Sequence, residues 1–403
     1  MSSSQPLPSA GPRAWAGNQR WLRGLYILVA LLLWISLYLY LPTLSTYIES
    51  KSGSLAVVGV VLAQYGLWQA LVRFPVGIAA DWLGRRKPFI LAGIALAGLG
   101  AWVMGSAQGT GGLFAGRAIT GLAAGTWVPL TVAFSSLFPP RQAIRASAIL
   151  AFVASAGKVI GTSANGPLHE FGGYLLVFNG AVILAALSLL IALPIREKGH
   201  PPRRPSPGGI GRLIARRDVL MPSVLSALLH YADWAFTFGF IPILAENLGA
   251  SGFTLSLLVS MHIALMTVMS LVTAAIAERV GARRLAGITF LLQSAGIGLA
   301  AIAPSLTLLF VAQFALGVAQ GLGYSVLMGL SIRDVDDSER TTAMGLHQSV
   351  YALGMFAGPW VSGLLADALG LRPMFGVTAA AFLVVPLALV RLLPPRRPEL
   401  SPR

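Results

Sequence analysis

The sequence predicts an all-α membrane protein with twelve transmembrane helices in two related halves. Three observations carry this: its hydropathy, a series of apolar runs of bilayer-spanning length, and an internal repeat. Of 403 residues, 56% are hydrophobic and 11% charged, and the mean hydropathy is +0.75. A soluble domain carries about 25% charged residues. A helix needs about 20 mostly apolar residues to cross the hydrocarbon layer. The segments that qualify are 22–44, 55–80, 89–108, 113–137, 147–168, 174–195, 219–245, 253–277, 285–304, 306–331, 342–366 and 373–393. They leave little chain for loops.

In chain order, residues 1–21 are expected as a disordered tail, because they are rich in Ser, Pro and Gly and lack apolar periodicity. The run from Leu25 to Leu44 is too long for a signal-peptide core and has no small-residue cleavage site, so it is the first span. After the second span comes a tight charged turn, Gly77-Ile-Ala-Ala-Asp81-Trp-Leu-Gly84-Arg85-Arg86-Lys87. Here Gly77 is expected to allow close helix contact, and Gly84 a turn that a Cβ would resist. Residues 196–218 form a linker between bundles 22–195 and 219–393. Pro and Gly break its start, and Ile210 to Arg217 is expected as a short basic amphipathic helix on the membrane surface. Residues 394–403 form a second tail.

Formal charge is +15, which in a soluble chain would suggest nucleic acid. Here the loop cations lie almost wholly on one face, against Lys51 and Arg372 on the other. The positive-inside rule puts both termini in the cytoplasm, and no nucleic acid partner is expected. There is no cysteine, so no disulfide or thiolate chemistry. The histidines at 169, 200, 230, 262 and 347 make no H-E-x-x-H pair, so neither a metal nor another cofactor is expected.

The halves repeat each other. Displacing the charged turn by 197 residues gives Ala274-Ala-Ile-Ala-Glu278-Arg-Val-Gly281-Ala-Arg283-Arg284, and displacement by 196 carries Arg117, Gly121 and Gly125 onto Gln313, Gly317 and Gly321. The G-x-x-x-D-x-x-G-R-R-K turn resembles the loop 2-3 signature of the major facilitator superfamily of secondary transporters. Arg117 with Gly121 and Gly125 is similar to the segment 4 motif of its proton-linked members. Gly354-Met-Phe-Ala-Gly358-Pro359 in segment 11 is similar to the glycine-proline motif that drug antiporters place in segment 5. Segment 5 itself departs from that pattern, since Thr162 follows Gly161 where proline is expected. The resemblance implies a central cavity lined by segments 1, 2, 4, 5, 7, 8, 10 and 11, with 3, 6, 9 and 12 peripheral. It also implies that Asp81 and the basic residues of the turns, with their repeats, latch the cytoplasmic side.

Inside the spans lie the cations Arg73, Arg117 and Lys158 and the acid Asp233. Each costs about 2.5 to 3.5 kcal/mol at mid-span, so each should face a cavity or a partner. Asp233 shares a helix face with His230, three residues earlier. The pair is read as a proton or substrate site, with a static ion pair from Asp233 to Lys158 or Arg117 as the alternative. Lys158 is expected to attract an anionic substrate group or to pair with Asp233 in one state of the cycle, and Arg73 to be an inner-gate or structural residue. Gln64, Tyr65, Gln69, Trp127, Asn165, His262, Gln313, Gln320, His347, Gln348 and Tyr351 supply either cavity surface or helix contacts.

The expected function is proton-coupled export of a small organic compound, by antiport through alternating access, in the cytoplasmic (inner) membrane. A monomer is expected, with the substrate, protons and the lipid bilayer as partners. Uptake or exchange of an organic anion is the alternative, because the internal charges are mostly positive; a transporter-like sensor is more remote. No P-loop surrounds Gly157-Lys158 and no nucleophile-base spacing is evident, so an enzyme is not expected.

Overall fold

A computed structural model describes residues 12–139, 142–197, 216–336 and 340–393, the side chains at 12–18, 74, 81, 143–144 and 340–341 excepted. Among the described residues, 11 helices are long and apolar enough to cross a membrane. One of them, Arg145–Ala192, has 48 residues. At 1.5 Å per residue it would reach about 70 Å, more than twice the hydrocarbon thickness. It is two spans, because Gly172 (φ −148°, ψ 18°) and Gly173 (φ 63°, ψ −162°) leave the helical region and turn the chain. Gly173 sits at a positive φ that a Cβ would oppose.

The spans are α1 (Gln19–Ser52), α2 (Leu55–Ala80), α3 (Lys87–Gly105), α4 (Thr110–Ser135), α5 (145–171), α6 (174–192), α7 (Arg217–Asn247), α8 (Gly252–Val280), α9 (Ala282–Ile302), α10 (Leu306–Arg333), α11 (Thr342–Leu369) and α12 (Leu371–Val390). Helix already begins at Pro12, within the stretch expected as a disordered tail. Proline fits the first helical turn, where its missing N–H has no intrahelical partner to lose. The expected surface helix at 210–217 falls mostly outside the described residues, as does the tail at 394–403.

In the first half α1 packs on α5, α2 and α3 pack on α4, and α3 packs on α6. In the second half α7 packs on α11, α8 and α9 pack on α10, and α9 packs on α12. The halves meet through α2 against α11 and α5 against α8, as a pseudo-two-fold axis along the membrane normal requires. Glycines set the closest approaches. Gly157 and Gly161 bring α5 onto the α1 backbone at Leu31 and Ile35, while Gly354 and Gly358 bring α11 onto α7 at Ala227 and Tyr231. Gly121 and Gly125 seat α4 on α2 at Tyr65 and Val72. Gly77 differs, since the nearest atom to a Cβ there would be Val128 Cγ1 at 3.8 Å. In this structure Gly77 therefore makes no close helix contact, and a Cβ there would meet only an ordinary van der Waals neighbour.

Close contacts join the halves on the side away from the chain termini. There Gly59 of α2 abuts Pro359 and Gly363 of α11, and Ser54 Oγ donates to Asp367 (3.1 Å). Ser256 of α8 donates to the Thr162 carbonyl of α5, and Ser260 donates to Thr162 Oγ1 (2.9 Å). Thr162, standing where the resembling motif has proline, thus ties the two halves together. Leu187, Leu190, Leu383 and Val384 of α6 and α12 point outward, on surface that a bilayer covers.

Candidate functional site

A cavity of about 190 Å³ lies between the halves, from mid-depth toward the terminal side. Its lining residues come from α1, α2, α4, α5, α7, α8, α10 and α11, and none from α3, α6, α9 or α12. Eight aromatic residues line it: Trp34, Tyr38, Tyr65, Trp127, Trp234, Phe238, Tyr324 and Tyr351. Of the polar residues picked out from sequence, Tyr65, Gln69, Trp127, Gln320, Gln348 and Tyr351 line it. Gln64, Asn165, His262, Gln313 and His347 are buried behind the surface. Asn165, for example, bonds the Leu39 carbonyl (2.8 Å) and Thr43 (3.0 Å).

Three charged side chains reach the cavity: Arg73, Lys158 and Asp233. Asp233 opens a π-helical stretch, Asp233–Phe240, between the α-helical pieces Arg217–Ala232 and Ile241–Asn247 of α7. Such widened turns recur at functional sites. Its Oδ1 lies 2.8 Å from His262 Nε2 on α8. His262 Nδ1 lies 3.3 Å from Thr237 Oγ1, one helical turn beyond Asp233, and Thr237 Oγ1 is 3.5 Å from Gln313 Oε1 on α10. His262, Thr237 and Gln313 are fully buried. The ionisable group in contact with Asp233 is therefore His262 rather than His230, Lys158 or Arg117, though the two facing atoms form no aligned hydrogen bond.

His230 also lines the cavity, but its ring makes its contacts away from Asp233. Its Nδ1 meets the Ser226 carbonyl at 2.8 Å, and its ring stacks on Tyr351 (4.3 Å between centroids, 9° between planes). Arg73 Nη1 donates to Tyr351 OH (2.8 Å), joining α2 to α11. Arg117 is 1% exposed and does not line the cavity. Its guanidinium lies 4.3 Å from the Tyr65 ring centroid and 5.5 Å from that of Trp234, behind the aromatic wall. Lys158 Nζ sits 4.5 Å from the Trp34 centroid and 5.1 Å from that of Tyr38. Ring faces stabilise such a cation, by about 2 kcal/mol or more when desolvated.

The charged turns are anchored within their own halves. The backbone N–H groups of Arg86 and Lys87 donate to the Glu197 carboxylate at 2.7–2.8 Å, which places an anion at the α3 N-terminus. In the repeat, Arg283 reaches the carbonyls of Val390 (3.2 Å), Arg391 and Leu393 (3.0 Å) at the end of α12. Gly84 (φ 66°) and Gly281 (φ 90°) make the turns. Arg85, Glu278 and Arg284 are exposed. The Asp81 side chain lies outside the described set.

Sequence reasoning named neither Trp34, Tyr38, Trp234, Phe238 and Tyr324 nor the Asp233–His262 contact. An aromatic residue in an apolar span looks alike whether it faces lipid or cavity. The repeat did hold a signal for His262: displacement by 197 carries Tyr65 onto it, as it carries Gly157 and Gly161 onto Gly354 and Gly358. Tyr65 flanks Arg117, while His262 reaches Gln313, the counterpart of Arg117, through Thr237.

The model of the Major Facilitator Superfamily matches residues 26–229 and 223–403. Among curated proteins, the inner membrane transport protein YajR of Escherichia coli (strain K12) is 34% identical over 88 residues, 22% of this chain and 19% of that protein. The MFS efflux transporter aclA of Aspergillus oryzae is 27% identical over 179 residues, 43% of this chain and 31% of that protein. The matched stretches thus span less than half of these relatives. A bacterial homologue of the human lysosomal transporter Spinster, inward-facing and unoccupied, superposes with TM-score 0.78 at 17% identity, covering 95% of this chain and 98% of its own. The human organic anion transporter MFSD10 superposes with TM-score 0.66 at 18% identity, covering 92% and 99%. At these identities the structural likeness speaks to the fold alone.

Proposed function

The chain belongs to the major facilitator superfamily and is a membrane transporter rather than an enzyme; on that premise we propose that it couples export of a small organic compound to protons by alternating access. The observation that carries the proposal is the buried contact of Asp233 with His262 (2.8 Å) in the cavity wall. The two atoms are close but form no aligned hydrogen bond, and a proton gained or lost by a carboxylate in the cavity wall would change the charge facing the substrate. The widened α7 turn beside the pair gives it a helix segment that can shift as the halves rock.

In this reading residues 22–195 and 219–393 are the two moving bundles, linked by 196–218, with both termini in the cytoplasm of a cell whose plasma membrane holds the protein as a monomer. The close contacts away from the termini then describe the inward-facing side of the cycle. The charged turns, with Asp81 and Glu278, would close the cytoplasmic side in the opposite state. Asp233→Asn tests the coupling. In acid-loaded everted vesicles challenged with a panel of organic anions, neutral compounds and cations, the unaltered protein should give compound-dependent alkalinisation, and Asp233→Asn none. Equal alkalinisation by the two proteins would remove Asp233 from the mechanism. Uptake or exchange of an organic anion is the second reading, favoured by two cations against one acid on the cavity wall.

A further inference from the structure

We infer that the cavity binds an aromatic monoanion, with Lys158 holding the acidic group and the surrounding rings holding the planar body; this rests on reading the cavity as the substrate site. Lys158 makes no hydrogen bond to any described residue, and no described carboxylate stands within 4.0 Å of it. All three of its N–H donors are therefore unspent, on a side chain that lines the cavity. Trp34 and Tyr38 fix the ammonium from behind without neutralising it. Arg73 adds a second cation to the same wall; it is 6% exposed, and its Nε has no hydrogen-bond partner. The one acid on the wall, Asp233, has an oxygen against His262.

The rest of the wall selects for a flat apolar body. Trp127 meets Trp34 edge-on at 5.1 Å, Trp34 meets Tyr38 at 5.7 Å and Phe238 meets Tyr38 at 6.1 Å, so one continuous cluster of rings flanks the lysine. Aromatic pairs add attraction beyond area burial, which a saturated ring does not recover. A charge-assisted hydrogen bond from a desolvated lysine separates an acid from its amide more strongly than a neutral contact can. A lipophilic cation would find rings here but would face Arg73 and Lys158 in the same small space.

The test is calorimetric binding to the purified full chain in lipid nanodiscs, at one pH and with no gradient. The probes are phenylacetate, phenylacetamide, cyclohexylacetate and benzyltrimethylammonium. Phenylacetate should bind at least about tenfold more tightly than each of the others. Lys158→Met should abolish the preference for phenylacetate over phenylacetamide, and Lys158→Arg should keep it. Equal affinity for acid and amide, equal affinity for phenylacetate and cyclohexylacetate, tightest binding of the cation, or no binding of phenylacetate would each overturn the inference. Because no gradient is applied, loss of proton coupling leaves this result unaltered, and either proposal can fail without the other.

Discussion

Asp233 and His262 stand or fall together. Removing the imidazole leaves a buried carboxylate without its partner, whereas removing both leaves two uncharged side chains. Breaking a buried pair costs about 3–5 kcal/mol, while replacing both partners is close to neutral. His262→Leu should therefore lower the unfolding free energy of the purified protein, by less than that because Asp233 also faces the cavity, and Asp233→Asn combined with His262→Leu should recover most of the loss. Additive losses in denaturant titrations would show that the two groups do not interact. Asp233, Lys158 and Arg73 were legible in the sequence because a charge at mid-span must have a reason to be there. What each charge touches was not legible, since helix periodicity gives a face but not the neighbour that face meets. Arg117 shows the difference: it is as charged as Lys158, yet it lies behind Tyr65 and Trp234 and out of the cavity.

Among the elements, the helix pairs α1–α5 and α7–α11 depend on glycines that the repeat relates. A Cβ at Gly358 would press into the Tyr231 backbone, which cannot yield as a flexible side chain does. Overpacking of this kind costs about 1–3 kcal/mol. Gly358→Ala should lower thermal stability measurably. Gly77→Ala, where a Cβ meets only an ordinary contact, should leave it unaltered. At Gly84 the positive φ makes alanine unfavourable by about 1–2 kcal/mol whatever the space around it. Equal melting temperatures for all three variants would contradict this ordering. Most helices could be read from runs of apolar residues and their breakers. The π-helical stretch of α7 could not, because its sequence Asp233–Phe240 is as apolar as its surroundings and its widening depends on tertiary contacts.

For the whole molecule, the repeat predicted two like bundles, and the pairing of α2 with α11 and α5 with α8 follows from the symmetry between them. Which end of the cavity is open did not follow, because alternating access requires one sequence to support both states. The absence of cysteine makes a direct measurement practical, since paired labels need no background removed. Spin labels at Leu83 and Arg279 report on the terminal side, and labels at Lys51 and Leu369 on the far side; all four residues are exposed. Titration between about pH 5 and 8 spans the range in which imidazole groups change charge. Double electron–electron resonance across that range should show the two distances changing in opposite directions, and neither changing in Asp233→Asn. Distances that stay fixed, move in the same direction, or respond to pH in Asp233→Asn as in the unaltered chain would contradict proton-driven alternating access centred on Asp233.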